Sequence, residues 1–136
     1  MADLEDVRRI SLSLPGTSEG DGHQTSFSVK NKGKDRGFAW VWMERLDPKK
    51  ARVPNPDVIA IRTANLEDKE MLLATDPGAY FTEPHYNGYP AILIRLANIG
   101  IEELEEVLTE GWRCMAPKEL VKEFDEGRST GPSPPF

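Results

Sequence analysis

A chain of 136 residues, 38% hydrophobic and 29% charged, fits one globular domain with a core of its own. The formal charge of −6 sets the molecule's overall field against a polyanion, and a lone cysteine, Cys114, excludes an intrachain disulfide. The acidic start, Met1-Ala2-Asp3-Leu4-Glu5-Asp6, lacks the order of a secretory signal, and the longest apolar run, Phe38–Met43, is far below the ~20 residues of a membrane span, so a cytoplasmic protein without a membrane partner is expected.

Asp3 is placed to cap a first helix over residues 4–13, with Asp6 as its capping-box acid and Pro15-Gly16 as its stop. Residues 17–24 read as loop. Residues 25–29 alternate and predict a strand. Residues 30–37 read as a polar turn, and residues 38–44 as a second strand. A Pro-rich loop spans 45–56, and a third strand 58–63. Asn65 caps a helix whose apolar positions are Leu66, Met71, Leu72 and Leu73, stopped by Asp76-Pro77-Gly78. A short strand at 80–82, a turn-rich loop at 83–90 and a strong strand at 91–96 follow. Ile101, Leu104, Val107, Leu108, Trp112 and Met115 mark an amphipathic helix. Pro117 suits the first position of a last helix carrying Leu120, Val121 and Phe124. The domain is expected to end near residue 127, with 128–136 a disordered polar tail. The order α-β-β-β-α-β-β-α-α predicts a two-layer α+β fold, an antiparallel sheet with helices on one face.

Charge is uneven along the chain: +2 over residues 1–64 and −8 over 65–136. Lys30, Lys32, Lys34 and Arg36 gather in the first hairpin turn, and Lys49, Lys50 and Arg52 in the next loop. If both loops lie at one end of the sheet, they form two wings that straddle phosphates. The other reading is a solvated pair of tips that guards an edge against aggregation.

Phe38, Trp40 and Trp42 share one strand face at period two, and Ala39, Val41 and Met43 the other. With the smaller residues toward the helices, Trp40 and Trp42 lie on an open face near Arg62 and Arg95. Such a face stacks a base or aromatic ligand with cation–π support, or is buried in a homodimer; alternatively the tryptophan face is itself the core. His85, Tyr86 and Tyr89 crowd one loop, where they line a small-ligand pocket or form a packed turn around Gly88.

A metal site has little support. His23 and His85, each two residues after an acid (Asp21 and Glu83), are the only histidines, and no paired ligand spacing accompanies them. No nucleophile elbow or phosphate loop occurs, so neither a catalytic residue nor a cofactor is expected. Cys114 reads as a packing residue.

An ordered set of motifs carries a family likeness. It comprises Leu14-Pro15-Gly16, His23, Ser26-Phe27-Ser28-Val29, Phe38-Ala39-Trp40-Val41, Phe81-Thr82-Glu83-Pro84-His85-Tyr86-Asn87-Gly88-Tyr89-Pro90, Leu93-Ile94-Arg95-Leu96, Gly111-Trp112-Arg113 and Ala116-Pro117-Lys118. Over residues 3–124 the chain resembles the MmcQ/YjbR-like family of small bacterial proteins. The resemblance implies an α+β fold shared with secretion chaperones and YjbR, and a non-enzymatic, DNA-binding role through two wing-like hairpins. A protein-interaction or dimerisation role for the aromatic face, and a small-ligand role near His85–Tyr89, stand beside it.

Overall fold

In the computed structural model, residues 2–20, 22 and 24–129 are described. The first helix, α1 (Leu4–Ser13), starts at a reciprocal capping box. The Asp6 amide donates to Asp3 Oδ1 and the Asp3 amide to Asp6 Oδ2, both at 3.0 Å. These bonds satisfy two of the donors a helix start leaves open.

Six strands follow: β1 (Thr17–Glu19), β2 (Ser26–Asn31), β3 (Lys34–Glu44), β4 (Val53–Arg62), β5 (Tyr80–Phe81) and β6 (Ala91–Arg95). They form one antiparallel sheet in the order β1-β2-β3-β4-β6-β5. Helix α2 (Leu66–Thr75), capped by Asn65, links β4 to β5; α3 (Ile101–Met115) and α4 (Lys118–Ser129) close the chain. This is the two-layer α+β fold expected, with one strand more. Thr17–Glu19, read as loop, pairs with β2 as an edge strand too short to show alternation. The last helix begins at Lys118 and not at Pro117, whose carbonyl instead accepts from the Val121 amide. It runs to Ser129, past the start of the expected tail; residues 130–136 lie outside those described.

The main core lies between the sheet and the helices. Phe27, Val29, Ala39, Val41, Ile59, Ile61, Ile92 and Ile94 meet Val7, Ile10, Leu104, Leu108 and Trp112. Phe38 joins them, which corrects its expected place beside Trp40 and Trp42. The pairing steps from Ala39↔Phe27 to Gly37↔Ser28, so Phe38 is the extra residue of a β-bulge. The bulge breaks the period of two and turns two successive residues, Phe38 and Ala39, toward the helices. Trp40 and Trp42 stay on the opposite face.

Two hairpins flank β3. Asn31 pairs with Lys34, so the first turn is only Lys32-Gly33, with φ of 53° and 80°. Positive φ at both central residues makes it a type I′ turn, whose twist suits a hairpin. At the far end of β3 the pairing with β4 breaks between Val41↔Ile59 and Trp42↔Asn55. Beyond that break, Trp42–Glu44 pair with Val53–Asn55, while β6 pairs only with Val58–Arg62. A two-stranded arm thus leaves the sheet, tipped by residues 45–52. Pro54 and Pro56 belong to it, tolerated because that part of β4 has no second neighbour. The same prolines made 53–56 look like loop. No helix among the described residues is long and apolar enough to cross a membrane.

Candidate nucleic-acid interface

The strand register decides which cations face which way. Residues directly opposite one another in a sheet share a face. Lys30 and Asp35 pair on the face away from the helices and form an ion pair of 3.0 Å. Arg36 pairs with the core residue Val29, and Lys34 with Asn31, whose side chain donates to Met115 O in α3 at 2.9 Å. Lys34 and Arg36 therefore lie on the helix side, and Lys32 sits in the turn itself. The four charges expected at one tip are split between the two sides.

The two basic loops are also not at one end. The Lys32-Gly33 turn precedes β3 and the Lys49–Lys50 tip follows it, so they flank opposite ends of an 11-residue strand. At ~3.3 Å per residue an extended strand of this length spans about 33 Å. Paired wings straddling one phosphate group are thereby corrected to two separate basic points. Lys49 and Lys50 are exposed, while Arg45 folds back to donate to Pro48 O at 3.2 Å and Lys50 O at 3.0 Å. Arg52 donates to Met43 O at 3.0 Å and is half-buried, a brace of the arm as much as a surface charge.

The open face carries a second apolar cluster. Val58, Ala60, Tyr86, Ala91 and Leu93 are buried there, with Trp40, Trp42 and Phe81 partly covered beside them. Trp40, Ala60 and Leu93 fall in one row across three strands, and Val58 faces Arg95. Phe81 meets Trp42 edge to face at 5.7 Å, and the Arg95 guanidinium lies 4.0 Å from the Phe81 ring. Trp42 Nε1, Thr82 Oγ1 and Glu83 Oε1 are buried without a protein hydrogen-bond partner. Phe81 was not singled out from sequence as a site residue. Its place follows from pairing with Leu93, which two-residue β5 does not advertise.

The loop at 83–90 folds over this face as a 3₁₀ turn, Pro84–Tyr86, with Gly88 at φ 79°. Tyr86 packs down, and its hydroxyl accepts from Trp40 Nε1 at 3.0 Å. Burial holds its phenol above the usual tyrosine range. Tyr89 stays exposed, accepts from an Arg62 amino group at 2.9 Å and has that guanidinium 5.1 Å from its ring. His85 is exposed and meets Tyr86 edge on at 6.1 Å. The residues named around 85–89 thus cover the tryptophans and hold Arg62. Asp21 and His23 lie outside the described residues, and among those described no cluster of metal-ligating side chains forms.

Lys69 anchors that loop. It is 4% exposed, and its ammonium donates to Tyr86 O at 2.5 Å and Tyr89 O at 2.9 Å. Burial pushes its pKa below the usual lysine range. Leu66 and Met71, expected in the core, are instead 45% and 67% exposed, so α2 buries a lysine and shows a methionine. The available signal was Lys69 at i−3 and i−4 from Leu72 and Leu73, on their apolar stripe. Lys69→Met keeps the stem but leaves two carbonyls without their donor. It is expected to cost about 1–3 kcal/mol and to raise the acrylamide quenching of Trp40. Unchanged stability and quenching would show that other contacts hold the loop.

Negative charge collects on the other side of the sheet. Glu102, Glu103, Glu105, Glu106 and Glu110 are exposed on α3, and Glu119, Glu123 and Glu126 on α4. The exposed carboxylates of α3 and α4 thus lie on the helix side, while the open face carries Arg62, Arg95 and the half-covered tryptophans together with Asp35 and the Glu83 carboxylate.

Comparison with known proteins agrees with this architecture. The YjbR family model matches residues 12–114. The uncharacterised proteins Mb2600 of Mycobacterium bovis and Rv2570 of Mycobacterium tuberculosis are 40% identical over 124 residues, spanning 91% of this chain and 96% of theirs. The crystal structure of Deinococcus radiodurans protein DR2400, with a DUF419 domain, superposes with a TM-score of 0.64 at 21% identity, over 92% of this chain and 89% of that one. The motifs from Leu14-Pro15-Gly16 to Gly111-Trp112-Arg113 fall within or against the matched span, and the chain belongs to the YjbR family.

Proposed function

We propose that this protein is a non-enzymatic DNA-binding protein that takes single-stranded DNA across the open sheet face. The observation that carries the reading is the segregation of chemistry by face. Trp40, Trp42 and Phe81 sit with Arg95 on one side, Arg62 stands at its edge between Tyr89 and the rim residues Glu106 and Glu110, and the other exposed carboxylates of α3 and α4 lie on the helix side. A base stacked on an aromatic side chain gains ~1–3 kcal/mol with little regard to sequence. Arginines beside the rings meet the phosphates.

A second reading, duplex binding through the loops, has its own support. The two basic points flank opposite ends of β3, so a duplex laid along the strand meets both. Fluorescence anisotropy of labelled single-stranded and duplex DNA, each across a salt series, separates the two. The face reading expects single strands to bind more tightly. Trp42→Ala should weaken them roughly 5- to 100-fold, and Lys32→Glu/Lys34→Glu/Lys49→Glu/Lys50→Glu should act mainly on the salt slope. Duplex preference, lost in the quadruple variant and indifferent to Trp42→Ala, favours the loops. No binding of either form at low salt by a folded sample sinks both readings and moves the face to a protein segment or small ligand.

A further inference from the structure

A groove of about 340 Å³ runs between α2 and α3. Ala64, Leu72 and Val107 line it, with Met71 67% exposed at its lip. Its rim is acidic, with Asp68, Glu106 and Glu110, against the single cation Arg62. Arg62 is already engaged by the Tyr89 hydroxyl. Cys114 forms part of the wall.

The arm offers an exposed apolar side chain and the opposite charge. Leu46, at its tip, is 73% exposed, more than any other large hydrophobic side chain described, and Val53, opposite Glu44 at the base of the tip, is 41% exposed. Arg45, Lys49 and Lys50 share the loop with Leu46, and Asp47 between them accepts from the Lys49 amide. An exposed leucine in a loop of net positive charge answers an apolar groove with an acidic rim.

The two cannot meet within one chain. The arm lies at the start of β4 and the groove at its end, where Arg62 stands. Nine steps of ~3.3 Å place them about 30 Å apart. We propose that the occupant of the groove is the arm tip of a second copy of this chain, with Leu46 seated against Leu72 and Val107 and with Lys49 and Lys50 facing Glu106 and Glu110. Two copies laid antiparallel make this contact twice, which closes the pair as a two-fold dimer. Lys49 and Lys50 are then engaged by carboxylates, so added polyanion competes with association. The contact does not use Trp40 or Trp42, and it stands whether or not the open face binds DNA.

Sedimentation equilibrium of the full chain over a concentration series tests it. The mass is expected to rise toward that of a dimer at low salt. The midpoint should move to at least about tenfold higher concentration in Leu46→Asp, a change at an exposed tip that leaves the core intact. Glu106→Lys/Glu110→Lys and Lys49→Glu/Lys50→Glu should each fail to associate alone and recover when mixed. In Leu46→Cys, an added oxidant should link position 46 of one copy to Cys114 of another, read by peptide mapping. A monomer mass at every concentration overturns the proposal. So does a dimer that survives Leu46→Asp, or cross-links running only between two 46 positions.

Discussion

Trp112→Ala is expected to cost about 3–5 kcal/mol of folding stability, read from the denaturant midpoint. Trp112 is fully buried where three elements meet. Its Nε1 donates to Pro15 O at 2.9 Å, fixing the turn between α1 and β1, and its ring packs 4.9 Å from Phe124 of α4. Truncation therefore opens a cavity, leaves the Pro15 carbonyl without its donor and loosens α4 at once. Small domains hold only ~5–15 kcal/mol in all, so the variant should unfold at a much lower denaturant concentration. A loss below about 1 kcal/mol would mean that the helices do not converge on this ring.

Gly111→Ala should destabilise by about 1–3 kcal/mol, against the usual sign for a glycine inside a helix. A Cβ at this position would stand 2.7 Å from Ile61 Cγ2, 3.2 Å from Arg62 O and 3.3 Å from Phe38 O. Two of the three obstacles are backbone, and Ile61 is fully buried, so nothing nearby can move away easily. The close approach of α3 to β3 and β4 depends on the missing side chain. Gly127, in α4, has open space around the same position, so Gly127→Ala should instead stabilise by up to about 1 kcal/mol. Equal effects at the two sites, measured by the same unfolding experiment, would contradict the packing described.

These two residues also show what was legible in the sequence. Trp112 lies on the apolar stripe from Ile101 to Met115, and the helix and its buried face follow from spacing alone. The caps at Asp3 and Asn65 were equally readable, because capping is local chemistry. Alternation put Trp40 and Trp42 on one strand face but left open whether that face was the core or the open side; the burial of Ile59, Ile61, Ile92 and Ile94 against the helices decides it. Phe38 defeated the same rule, because a bulge adds one residue and resets the period, and no residue type announces it. Lys69 defeated it differently, since a lysine with two carbonyl partners takes a place that hydropathy gives to Leu or Met. The separation of the two basic loops was available in principle. Successive turns of a meander must alternate between the ends of the sheet, so Lys32 and Lys49 could not share one. What no local pattern carries is the arm, which exists because β6 pairs with only half of β4.

The chain has three tryptophans, two on the open face and one in the core. The most direct test of the proposed interface follows their indole N–H signals by NMR while a short single-stranded oligonucleotide is added at low salt. The face reading predicts that the Trp40 and Trp42 signals shift together with saturation, that Trp112 stays in place, and that added salt reverses the change. Unmoved Trp40 and Trp42 signals, with shifts confined to the amides of residues 30–36 and 45–52, would contradict it.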